Sequence, residues 1–398
     1  MSGYNRIKPA YYKKILKGDV YFMKLKKLTA VFAAVVIAAV SLAGCGGSSS
    51  SGSGAASTSG SGSEQAAAST QSGEKTKLYV VNWKDYASDD PEFVKAFEEE
   101  NNCEIVNTYM SSEEDLLTRL RTSKAGEIDV CLPNCTILPA AIKDGLLEPI
   151  DTSKLENFDE LFAKFKEQKE CFDGDTMYAV PFVWGSTAIA YNTDEITEAP
   201  KSMNCLFDEQ YAGKIAFRDD YNDAVMSAAI VLGQDPNAPT DLDAIKAKLI
   251  EQKPLNKTYW KTGDEFSKLF AGGQISVGLM WSGQAAAMKQ AGEHIAFTVP
   301  EDGAIGWVDN WGIAANSNNK ELAYKFIDAM ISKDLQYNWA SSGGPSPANQ
   351  SAAEAIDPEY AASAGMDEES LNRLYFMEYR TDEVKNEWNE LWTDVKAE

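Results

Sequence analysis

The chain runs to 398 residues with 60 acidic and 37 basic side chains, a net charge of −23 at neutral pH. This balance disfavours nucleic acid as a partner, because affinity there comes mostly from basic side chains that neutralise phosphates. A single histidine, His294, leaves most hydrolytic and metal-dependent mechanisms without their imidazole. No P-loop, nucleophile elbow or dinucleotide fingerprint occurs either, so no enzyme, cofactor or metal site is expected.

From Met23 the chain shows a basic start, an apolar run over 28–43 and then Cys45, the layout of a secretory signal peptide. The tetrad Leu-Ala-Gly-Cys ending at Cys45 resembles a bacterial lipobox, whose cysteine is acylated and becomes the first mature residue. The apolar run is shorter than the ~20 residues of a spanning helix. Residues 1–22 look like no export signal, which makes Met23 the better initiator. Residues 45–75 are rich in Gly, Ser and Ala and cannot repay the entropy of ordering, so they read as a tether. The expected location is extracytoplasmic, lipid-anchored to a bacterial membrane. Cys103, Cys131, Cys135, Cys171 and Cys205 form no recognisable disulfide framework and read as small hydrophobes.

From residue 76 onward the chain is long enough for two lobes rather than one core. A β-rich run at 77–83 leads into an amphipathic helix at 91–102, a strand at 103–110, a helix at 112–123 and a strand at 128–134. A helix and turn follow at 137–150. This order predicts a largely parallel sheet covered on both faces. Residues 177–192 are β-rich with no helix inside, suited to crossing between lobes. A second series places strands at 214–220, 275–281 and 295–300 and helices at 224–233, 267–273 and 282–292. A helix at 321–334 and an acidic C-terminal helix complete the chain. The acidic runs at 98–100 and 113–115 read as solvated helix faces.

In open α/β sheets, ligands bind beyond the carboxyl ends of the strands. That rule selects Trp83, Asn134, Asp220 and Trp281, each at or just past a strand end. Carboxylates and aromatic faces across a cleft suit a polycation. A cation over an indole gains about 0.5–2 kcal/mol, and charged hydrogen bonds are about twice as strong as neutral ones. The acidic surface also draws cations in.

The segments NWKDY (82–86), VPFVWGSTAIAYN (180–192), RDDYND (218–223), GLMWSGQAA (278–286) and GWVDN (306–310) occur in this order. Together they resemble the bacterial spermidine/putrescine-binding proteins, with similarity from about residue 77 to the C-terminus. The resemblance implies a two-lobed, α/β, type II periplasmic-binding-protein fold with mixed, mostly parallel sheets and a hinge. It implies lobes at 76–186 with 308–353 and at 187–307 with 354–398. It further implies a monomeric binding protein for a polyamine, serving the permease and ATPase of an ABC importer. By matched position, the ammonium-binding acids fall on Asp85, Asp220, Asp223 and Asp309, and the aromatic walls on Trp83, Tyr86, Trp281 and Trp307.

Structural roles stand beside these. Asp220 and Asp223 also fit the N-cap and N3 positions of a capping box, Trp281 and Trp307 fit a core, and Asp85 and Asp309 fit exposed loops. Trp184 and Trp311 read as packing support. The chain departs from the family at Lys84, Asn134, Thr136, Gly344 and Arg380. The two cations point outward, or Arg380 pairs with a carboxylate. The alternative is a ligand that itself carries a carboxylate, such as an amino acid derivative or opine, or else a thiamine-like cation.

Overall fold

The structure is a computed structural model that describes residues 75–84 and 86–398. The leader, Cys45, nearly all of the tether and Asp85 lie outside the described residues.

Strands β1 (Thr76–Asn82), β2 (Cys103–Tyr109) and β3 (Val130–Cys131) pair in parallel, with β1 in the middle. The helices between them start where the sequence supplies caps. Asp90 accepts the N–H groups of Glu92 and Phe93 ahead of Pro91–Asn101, and Ser112 accepts that of Asp115 ahead of Glu113–Thr122. The third strand is shorter than its apolar run because Pro133 offers no N–H to the ladder. A small hairpin, β4 (Phe172–Asp173) and β5 (Thr176–Met177), precedes β6 (Ala179–Asn192), which is buried along all but its last residue.

Strands β7 (Ile215–Arg218), β8 (Asn256–Trp260) and β9 (Val277–Trp281) form a second parallel group with β7 in the middle. Then come β10 (Ile295–Thr298), β11 (Ala304–Ile313), β12 (Ser346–Pro347) and β13 (Leu374–Phe376). The sheet runs β2-β1-β3-β11-β6-β9-β7-β8, so the parallel groups are wings on an antiparallel centre made by β6 and β11.

Two cores divide this sheet. The first takes β1, β3, β6 as far as Trp184 and β11 from Val308 onward, with Phe326 of helix Lys320–Met330 packed on Phe97 and Trp311. The second takes β6 from Ala188, β7, β9, β11 as far as Ile305, and Trp388 and Trp392 of helix Asp382–Ala397. Residues 185–187 of β6 and 306–307 of β11 therefore bridge two lobes. The five described cysteines are free, four of them buried.

Candidate functional site

The bridging strands put three of the selected side chains on one face. Trp307 lies opposite Gly185, Asp309 opposite Val183, and Trp281 of β9 opposite Thr187. Residues two apart on a strand share a face, and directly opposed residues point the same way. Trp281, Trp307 and Asp309 are thus presented together, from either side of β6. Gly185 makes this possible: a Cβ there would fall 2.2 Å from the Trp307 ring. The indole lies across the space a side chain would take, and its Nε1 is buried without a partner.

Asp309 is buried, 5% exposed, and accepts two hydrogen bonds. Tyr86 Oη donates to Oδ2 at 2.5 Å and Asn134 Nδ2 to Oδ1 at 2.8 Å. Tyr86 is held by Asn82 at the end of β1, whose Nδ2 donates to the Tyr86 carbonyl and to Ser88 Oγ, both at 2.9 Å. Its ring stands edge-on to Trp339 at 4.8 Å. Asn134 is fixed in turn, since its backbone N–H donates to Glu113 Oε2 at 2.9 Å and its Oδ1 accepts from the Thr136 N–H.

Glu113 therefore belongs to this cluster. The sequence places it in a solvated acidic run, yet it is half-buried at the first position of its helix. Burial, reinforced by the Asp309 charge, holds its carboxyl well above the usual range. Burial also raises Asp309, against the opposing hydrogen bonds from Tyr86 and Asn134, and it raises the Tyr86 phenol. Among the described residues neither Asp309 nor Glu113 forms an ion pair. Two carboxyls desolvated without a cation make a site that gains by receiving one.

Across the bridge the charges are already matched. Asp220 caps helix Tyr221–Val231, accepting from the N–H groups of Asn222 at 2.9 Å and Asp223 at 3.2 Å. The capping box is not completed, because the Asp223 side chain turns to Arg218 Nη1 at 2.6 Å. Arg218 Nη2 also lies 3.7 Å from Asp220, and its guanidinium sits 4.9 Å from the centre of the Trp281 ring. Trp281 itself packs edge-on to Trp260 at 5.1 Å. Burial pushes the Asp223 carboxyl up to about 6, against the opposing pull of the Arg218 charge beside it. Asp220→Ala removes the cap and is expected to cost about 1 kcal/mol, read as a lower urea midpoint.

Arg380 does not point outward, and among the described residues it pairs with no carboxylate. It is 5% exposed and stacks at 4.1 Å on Trp388, with Nη1 donating to the Glu378 carbonyl and Nη2 to Asn237 Oδ1. The stacking face repays part of the desolvation that lowers its pKa. Lys84 is exposed, and Trp83 is half-buried against the first core. Trp184 and Trp311 are core residues. Trp339 was not selected from the sequence, nor were Gly185 and Arg218. Trp339 lies so close to Gly344 that a Cβ there would meet its ring at 2.8 Å.

Comparison with known proteins agrees with this architecture. A family profile described as bacterial extracellular solute-binding protein matches residues 92–368. The spermidine/putrescine-binding periplasmic protein of Escherichia coli K12 is 30% identical over 298 residues, covering 74% of this chain and 84% of that protein. The putrescine/cadaverine-binding protein of Pseudomonas aeruginosa is 27% identical over 352 residues, covering 83% and 96%. The spermidine/putrescine ABC transporter substrate-binding protein of Streptococcus pneumoniae, solved with calcium and HEPES, superposes with a TM-score of 0.72 at 25% identity, covering 81% of this chain and 99% of that one. A two-lobed fold bridged by β6 and β11, matched over most of its length in this way, places the chain among the bacterial extracellular solute-binding proteins.

Proposed function

We propose that the protein binds a small aliphatic polyamine of the spermidine/putrescine class and delivers it to the permease of an ABC importer. The observation that carries this reading is the acid pair of buried Asp309 and half-buried Glu113, which has no cation of its own among the described residues, with Tyr86 bonded to Asp309 and Trp307 on the same face of β11. An ammonium group enters beside Asp309, within reach of Tyr86 and Asn134. Its methylenes lie against Trp307 and Trp83, and Trp281 closes the far wall near Asp220 and Asp223. The names of the relatives support the ligand class. Cys45 carries the lipid, and the tether lets the lobes capture ligand beside the membrane.

The reading has a pH signature. Burial raises both carboxyls and an ammonium beside them would lower them again, so affinity is expected to rise with pH from the ordinary carboxyl range upward. Titration with putrescine over a pH series that starts in the ordinary carboxyl range, in two buffers of different ionisation heat, is expected to show binding that tightens as pH rises, with protons released by the protein at the lower end. Binding with no proton release would remove the acid pair from the site. The empty protein follows the opposite rule. A carboxyl whose folded pKa is raised binds more protons folded than unfolded, so its contribution to stability declines as pH rises from the ordinary carboxyl range through the raised value.

A further inference from the structure

Arg218 gives the cleft an internal cation, and the two ends of the site differ because of it. At the Asp309 end the carboxyls lie unpaired among the described residues. At the other end a guanidinium rests on Trp281, makes a 2.6 Å hydrogen bond to Asp223 and stands 3.7 Å from Asp220. Those three contacts are what a second ammonium of a polyamine would need: an aromatic face, a buried carboxylate and a second carboxylate beside it. Asp223 is 1% exposed and Trp281 is half-buried, so the guanidinium and a ligand ammonium compete for one position. Arg218 closes β7 and packs toward Trp260 as well, at 6.0 Å, which anchors it in place.

We propose that Arg218 occupies the second cation position of the cleft, so that the protein buries one ammonium only and prefers a short diamine to longer polyamines. This inference rests on the amine-binding reading above. It makes Arg218 a specificity-determining residue: any second ammonium must either displace the guanidinium from Asp223 or stay in water, so a diamine leaves one charge outside the site where spermidine leaves two.

The test is a ligand series on the unmodified protein and on Arg218→Met, which keeps a side chain of similar length against Trp281 and removes the charge. The unmodified protein is expected to bind putrescine at least as tightly as spermidine. If it binds spermidine tenfold tighter or more, the second position is open and the inference is overturned, whether or not the variant folds. In Arg218→Met the ratio of spermidine to putrescine affinity is expected to rise by about tenfold or more, because a buried carboxylate is freed for a charged hydrogen bond. An unchanged ratio in a folded variant overturns the inference and leaves amine binding standing. Failure of both proteins to bind any amine would overturn amine binding itself, and the inference with it.

Discussion

Asp309→Asn is expected to lower the affinity for putrescine by about a hundredfold or more, the scale found when one partner of a buried, hydrogen-bonded charge pair is removed. The empty protein should gain stability from the same change, by about 1 kcal/mol, because a buried carboxyl with no cation is costly to fold around. The hydrogen bonds permit the exchange. An asparagine at 309 can accept from Asn134 Nδ2 and donate to Tyr86 Oη, the two partners that Asp309 now has at 2.8 Å and 2.5 Å. Isothermal titration paired with urea unfolding reads both effects. Loss of binding together with loss of stability would mean that Asp309 is structural, and that another group receives the ligand.

Gly185→Ala should disable the site from the opposite direction, through shape. The added methyl would stand 2.2 Å from one carbon of the Trp307 ring and 2.5 Å from the next, so the indole must leave the face it shares with Asp309 and Trp281. Overpacking of this kind costs about 1–3 kcal/mol, and the lost aromatic wall should weaken binding by about tenfold or more. Trp307 fluorescence is one reporter among several tryptophans, so difference spectra against Trp307→Phe would isolate its contribution. A Gly185→Ala protein with unchanged affinity and stability would show that Trp307 can lie elsewhere without consequence.

The elements that carry these side chains were legible to different degrees. β1, β7 and β9 are apolar runs that end in Asn82, Arg218 and Trp281. The rule that ligands gather past strand ends therefore led directly to Trp83, Asp220 and Trp281. β11 was not legible as a strand, because Gly306, Asp309, Asn310 and Gly312 break any two-residue alternation. Its extended form is imposed by partners far away in sequence, β6 above all. Glu113 looked like one of three acids on a wet helix face. Only the fold brings Asn134 to its carboxylate and Asp309 near it. Arg218 and Asp223 are five residues apart, and a local pattern suggested a capping box. The competing interaction that won is the buried ion pair, which costs the box its second hydrogen bond. Arg380 is the same lesson with an aromatic partner, since Trp388 is close in sequence but supplies a stacking face only once the C-terminal helix has docked.

The most direct measurement is calorimetric titration of residues 76–398 with putrescine and with the diol of the same chain length, which matches its hydrocarbon and lacks its charge. Saturable one-to-one binding of putrescine with no heat from the diol is the predicted result, because the acid pair at Asp309 and Glu113 selects for an ammonium. Absence of saturable binding by putrescine, or equal binding of the diol, would contradict the assignment of this cleft to amines.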